Sequence, residues 1–141
     1  MVKKFPGMRA AFPFITIDDA GHPALRAVRC SICGTCYAEK ERLACAKCGS
    51  RNEFETIAPG HTGHLHAASI VYRTYPGVPV PFVSAVVDLD GGPSIKGILR
   101  GVAFDAGEIR PGRPLRVVFD EALGRTDGDG NRYVSHFFEP L

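Results

Sequence analysis

The 141-residue chain contains no apolar run near the ~18 residues that a membrane-spanning helix requires. Its first residues, MVKKFPGMRAAF, hold two lysines, but Pro6 and Arg9 break the stretch and no apolar leader core follows. These absences predict a soluble, cytoplasmic protein with no membrane contact. Internal repeats and low-complexity segments are also missing. Charge of one sign is scarce, the formal net value being +2. Residues 1–50 carry eight Lys/Arg against four Asp/Glu, whereas residues 51–141 carry nine against eleven. Four thiolates around one dication would remove about two positive charges from the first half. The balance is not the footprint of a dedicated nucleic-acid binder, so a nucleic-acid partner is not expected. Finally, cysteine is absent outside residues 30–48. A secreted disulfide framework spreads along its chain and usually has an even count. Five cysteines in one tight cluster point instead to a metal in a reducing compartment.

The cluster reads CSICGTCYAEKERLACAKCGS, with cysteines at 30, 33, 36, 45 and 48. Cys30-x2-Cys33 and Cys45-x2-Cys48 form two knuckles, each able to aim two thiolates at one ion, and together they predict a closed four-thiolate Zn2+ site. Gly34 and Gly49 follow the second cysteine of each pair, where the chain must turn sharply. A rubredoxin-type iron centre and thiol redox chemistry are the competing uses of such a cluster. Cys36 also stands three positions beyond Cys33, in C-x2-C spacing, so a ligand set of 33, 36, 45 and 48 competes. The paired glycines favour Cys30, which leaves Cys36 as a spare thiol. A closed site of this kind contributes folding energy and keeps no position for substrate.

The rest of the pattern predicts a mainly β protein. Residues 14–29 read as two short extended segments around Asp19-Ala20-Gly21. Strands are expected over 64–75, 81–89, 94–102, 115–122 and 132–139, with hairpin signals at Asp90-Gly91-Gly92 and in GRTDGDGN. Residues 105–114 carry at most one helical turn before Pro111-Gly112. Five antiparallel strands with one long connection suit a closed OB-fold barrel better than a sandwich. The expected division is an N-terminal segment with zinc ribbon over 1–58 and an OB-fold barrel over 59–141.

The other candidates have plain structural readings. His61, His64 and His66 stand at the barrel start, with 64 and 66 on one strand face and 61 outside it; polar strand-edge packing is favoured over catalysis. His136 reads as structural. Asp88 and Asp90 share a side of the sheet and read as an acidic strand end facing water. Among Lys96, Arg100, Arg110, Arg113 and Arg116, the pair Lys96 and Arg100 lies four apart on one strand, a spacing that would let both meet phosphate. Phe82, Phe104, Phe119, Tyr133, Phe137 and Phe138 read mostly as core, which leaves few platforms for base stacking. The proline-rich, aromatic loop YRTYPGVPVPF, with Tyr72, Tyr75, Pro79, Pro81 and Phe82, is the candidate partner surface.

The ribbon ending C-x-x-C-G-S, the G-H-T-G lead into the barrel, the strand VPFVSAVVDLDGG, the stretch IRPGRPLRVVF and the final FFEP together resemble acyl-CoA-associated zinc-ribbon/OB-fold proteins. The likeness runs over roughly residues 25–140. Where that family carries Pro-Pro-Arg between its knuckles, this chain has Glu39-Lys40-Glu41-Arg42 and keeps only the arginine; it also lacks the longer helical N-terminus of many members. The resemblance implies a non-catalytic accessory subunit of a thiolase-type acyltransferase, in a hetero-oligomer. Such a subunit would help form or gate the acyl-CoA site, with CoA or acyl-CoA shared with the thiolase-like partner that owns the chemistry. The alternative is a zinc-ribbon/OB module binding single-stranded nucleic acid, since both parts recur there.

Overall fold

The computed structural model describes residues 3–141, apart from the side chains of residues 123–125. Met1 and Val2, part of the stretch in which no leader is expected, lie outside the described residues. The described residues contain no helix. Eleven strands follow in order: β1 Arg9–Ala10, β2 Ile15–Ile17, β3 Pro23–Leu25, β4 Ala27–Cys30, β5 Cys36–Tyr37, β6 Phe54–Ile57, β7 Thr62–Val71, β8 Phe82–Leu89, β9 Ser94–Leu99, β10 Pro114–Thr126 and β11 Arg132–Pro140.

Strands β7 to β11 form the barrel. Their order is β11-β10-β7-β8-β9, and a parallel β9–β11 pairing at Phe137↔Ile98 and Phe138↔Leu99 closes it. Five strands, closed, with the long connection between β9 and β10, make an OB-fold. Closure removes the exposed edges that an open sheet would carry. Alternation along β8 puts Val83, Ala85, Val87 and Leu89 inside. With Leu65, Ile95, Leu99, Leu115, Val117 and Phe138 they form one continuous apolar core. On β7 a bulge falls between Leu65 and Ala67. It leaves Leu65 inside while His66 and Ala67 both face out.

Strand boundaries differ from expectation for local reasons. β7 stops at Val71, ahead of the Pro76-Gly77 turn, rather than at 75. β9 stops at Leu99 because Gly101 takes a positive φ of 76° and turns the chain. β10 runs on to Thr126, past the expected end at 122. The tip closes there because the Asp127 carboxylate accepts from the amides of Asp129 and Asn131 and from the Tyr133 hydroxyl. Phe104, expected in the core, is 51% exposed in the β9–β10 connection, where no strand turns it inward.

The ribbon is a three-stranded sheet in the order β5-β4-β6. The segment before it is joined to the barrel. β1 adds to β11 in parallel, Arg9 facing Tyr133 and Ala10 facing Val134. The β2–β3 hairpin lends Ile15 and Leu25 to the barrel core.

Candidate metal centre and surface sites

The two knuckles are near-copies. Cys30 N–H donates to Thr35 O at 2.9 Å and Gly34 N–H to Cys30 O at 2.8 Å. In the second, Cys45 N–H donates to Ser50 O and Gly49 N–H to Cys45 O, both at 2.9 Å. Each loop closes through a glycine of positive φ, 82° at Gly34 and 75° at Gly49, which a side-chain-bearing residue adopts only with strain.

This geometry gathers Cys30, Cys33, Cys45 and Cys48, whose sulfurs all lie within 4.8 Å of one another. Two pairs stand at 3.7 Å, Cys30 to Cys48, and 3.5 Å, Cys33 to Cys45. A tetrahedral zinc with bonds of about 2.3 Å would set its sulfurs about 3.8 Å apart, so the spacing fits that ion. Cys36 is outside the group; its thiol reaches Gly34 O at 3.6 Å from β5. The competing set built on Cys36 is therefore not the one the fold assembles.

The electrostatics also call for a cation. The Tyr37 hydroxyl, then the amides of Cys48 and Lys47, pull the Cys45 thiol down to about 5. At Cys30 the Ser50 hydroxyl and the Cys33 amide lower it as well. Cys48 moves up: the Ser50 hydroxyl and amide favour its thiolate, but desolvation and the sulfurs of Cys30 and Cys33 outweigh them. Four sulfurs this close cannot all ionise without a positive charge between them.

Residues around the sulfurs were not legible as site residues in the sequence. Thr35 Oγ1 lies 3.1 Å from Cys33 Sγ, and Ser50 Oγ bridges Cys48 Sγ at 2.9 Å and Cys30 Sγ at 3.4 Å. Tyr37 donates its hydroxyl to Cys45 Sγ at 3.5 Å and accepts from the Ala46 amide at 3.0 Å. Arg42 then stacks over the Tyr37 ring at 3.8 Å, held by Glu39 at 2.6 Å and by the Ala44 carbonyl at 2.8 Å. The arginine shared with the resembled family is thus a clamp between the knuckles. Hydroxyls repeated two residues past each second cysteine, in C-G-T and C-G-S, are the pattern that would have found the first two.

The two cations of the expected pair have different surroundings. Arg100 sits beyond the end of β9, and its guanidinium is taken by Asp120 at 3.0 Å, Glu139 at 3.1 Å and the Phe137 ring at 4.4 Å. Lys96 faces outward and lines an apolar cleft of about 250 Å³ with Phe12, Ile98 and Phe137. That cleft lies at the β9–β11 seam, where backbone pairing stops and His136 takes over. His136, 2% exposed, donates Nε2–H to the Lys96 carbonyl at 2.7 Å. Phe12, Phe14 and Phe138 pack edge-on against its ring. Burial lowers its pKa, so the ring is neutral, as a structural plug would be.

His64 and His66 do share the outer face, each beside a carboxylate: His66 Nδ1 lies 3.0 Å from Asp88 and His64 Nδ1 3.5 Å from Asp90. His61 is apart from them, its ring edge-on to Phe119. Ser94 and Thr62 donate to Asp88 and Asp90 respectively, so both acids cap the strand end. In the β7–β8 loop Tyr72 and Tyr75 are 63% and 82% exposed; Pro79 and Pro81 are exposed and Phe82 is half-buried. Sequence reasoning missed two further apolar side chains of the ribbon, Ile32 and Leu43, 65% and 75% exposed. Two buried side-chain polar atoms have no partner among the described residues, His136 Nδ1 and Arg26 Nε. Such an omission costs about 1–3 kcal/mol for an ordinary donor.

A four-cysteine ribbon joined to a closed five-stranded OB barrel defines the class of this protein. Residues 56–120 match the family model described as ChsH2, C-terminal OB-fold domain. A chain of the Ltp2-ChsH2(DUF35) aldolase is 25% identical with a TM-score of 0.62, the match covering 83% of this chain and 84% of that one. No curated protein matches the sequence. The barrel is an OB-fold, similar over residues 56–120 to the ChsH2 C-terminal domain.

Proposed function

We propose that the chain is a non-catalytic accessory subunit of a thiolase-type acyl-CoA acyltransferase, docking on its partner and helping to form or gate the acyl-CoA site. The observation that carries this reading is the likeness to a chain of the Ltp2-ChsH2(DUF35) aldolase, which covers 83% of this chain. Residues 1–58 act as the ribbon-bearing unit and residues 59–141 as the barrel. In the ribbon, Cys30, Cys33, Cys45 and Cys48 hold Zn2+, which supplies folding energy and no open coordination position. Partner contact runs through the exposed apolar side chains: Ile32 and Leu43 on the ribbon, Tyr72, Tyr75 and the prolines of the β7–β8 loop on the barrel. Patches of this kind, rimmed by polar residues, mark interaction surfaces. Among stand-alone members of the resembled family, the sequence is similar to the accessory subunit of a benzoylsuccinyl-CoA thiolase, which makes aromatic acyl-CoA the first substrate class to assay.

Mild affinity purification from the native cells, with partners identified by mass and zinc quantified in the same sample, tests the reading. A stoichiometric thiolase-fold partner with one zinc per chain is expected. A chain that purifies alone contradicts it. So does one that binds single-stranded oligonucleotides with an affinity falling steeply as salt rises.

A further inference from the structure

The buried, unpartnered Nε of Arg26 points to a second site. Four described arginines are half-buried: Arg26, Arg42, Arg100 and Arg113. Three of them hold carboxylates. Arg42 pairs with Glu39, Arg100 with Asp120 and Glu139, and Arg113 with Glu108. Arg26 pairs with none, although every Asp and Glu of the chain is among the described residues. Half-buried arginines ordinarily satisfy their planar fork with an acceptor. An orphaned one, with Nε already out of reach of solvent, is a group whose acceptor comes from outside the chain.

Its surroundings state what that acceptor is. Arg26 lies between β3 and β4, its backbone fixed by donation to Phe14 O at 2.7 Å. The side chain lines a groove of about 630 Å³ between the N-terminal segment and the ribbon. Lys40, which also has no carboxylate partner among the described residues, shares the groove; Phe12, Pro13, Ile15 and Ile17 supply apolar wall. Glu39 and Glu41 line an adjoining hollow that Lys40 also borders; Glu39 is held by Arg42, and neither acid forms an ion pair with Lys40. Two unneutralised cations over an apolar wall match a doubly charged anion attached to an apolar segment. A carboxylate would neutralise one cation only. A phosphomonoester or pyrophosphate neutralises both and offers paired oxygens to the arginine fork.

We propose that Arg26 and Lys40, rather than Lys96 and Arg100, form a binding site for an organic phosphate or pyrophosphate. The ligand is either the phosphate-bearing end of an acyl-CoA, an identity that rests on the function proposed above, or a free nucleotide. The site itself rests on neither.

Calorimetric titration of the full zinc-loaded chain with inorganic pyrophosphate, then with ADP and coenzyme A, tests it. Wild-type protein is expected to bind pyrophosphate at low salt and to lose affinity as salt rises. Arg26→Gln should weaken binding about tenfold or more, Lys40→Gln by a smaller factor, and Arg26→Lys should recover only part because the fork is gone. Arg116→Gln, remote from the groove lining, should bind as wild type. Arg26→Lys and Lys40→Gln keep the test open if Arg26→Gln does not fold. Coenzyme A bound more tightly than ADP, with the same dependence on Arg26, identifies the acyl-CoA source; equal affinities identify a free nucleotide. Absence of pyrophosphate binding, or binding unchanged by both Arg26→Gln and Lys40→Gln, overturns the site. Loss of thiolase docking would leave these titrations unaltered, so the two proposals fail separately.

Discussion

The two halves of this chain reach order by different means. Between Ala27 and Ile57 the buried apolar side chains are few: Ala27, Val28, Cys30 and Cys45, the last two belonging to the sulfur cluster. The barrel instead buries a continuous core from Leu65 to Phe138. A segment as short as the ribbon cannot pay its conformational entropy with so little apolar area, whereas the barrel can. The four sulfurs, with the ion proposed for them, stand where a core would, so metal loss should separate the two regions.

The largest effect should follow removal of a ligand. Cys45→Ser is expected to drop bound zinc from about one per chain to near zero and to disorder the ribbon, because binding energy there is folding energy. Cys36→Ser, with the same chemistry outside the cluster, should keep its zinc. Metal analysis with backbone NMR checks both, and equal zinc loss in the two variants would break the comparison. In the barrel, Phe138→Ala should cost about 3–5 kcal/mol in denaturant unfolding while zinc stays bound. Gly97→Ala comes next. Its added Cβ would meet His136 Nε2 and Phe138 Cε2, both at 2.8 Å, so about 1–3 kcal/mol of overpacking is expected. Tyr37→Phe removes the hydroxyl shared by Cys45 and the Ala46 amide; zinc should dissociate about tenfold faster to a competing chelator, with the barrel untouched.

The smallest effect is one of pH. His136 is held neutral, its folded pKa lying below the unfolded value of about 6.5. The unfolded chain therefore binds more protons in the window between those two values, and barrel stability falls as pH drops through about 6.5 toward the folded pKa. His136→Phe should flatten that slope in unfolding midpoints measured from pH 7.5 to 5.

Cysteine spacing and strand alternation were legible because both are short-range patterns: the knuckles, the β2–β3 turn and all five barrel strands follow from residues within a dozen positions of each other. What stayed hidden depends on chain segments distant in sequence. Nothing near Arg9 announces its pairing with Tyr133, and nothing near His136 announces that Lys96 leaves a carbonyl for it to satisfy. Lys96 and Arg100 looked alike by periodicity; only the fold brings Asp120 and Glu139 to one of them. The orphaned Arg26 is likewise visible only once every acidic side chain has been placed.

Amide hydrogen exchange on the zinc-loaded chain, before and after chelation under reducing conditions, tests the contrast most directly. The account predicts that residues 27–57 lose protection while β7 to β11 keep theirs. Protection lost together in both regions, or retained in the ribbon after the metal is gone, would contradict it.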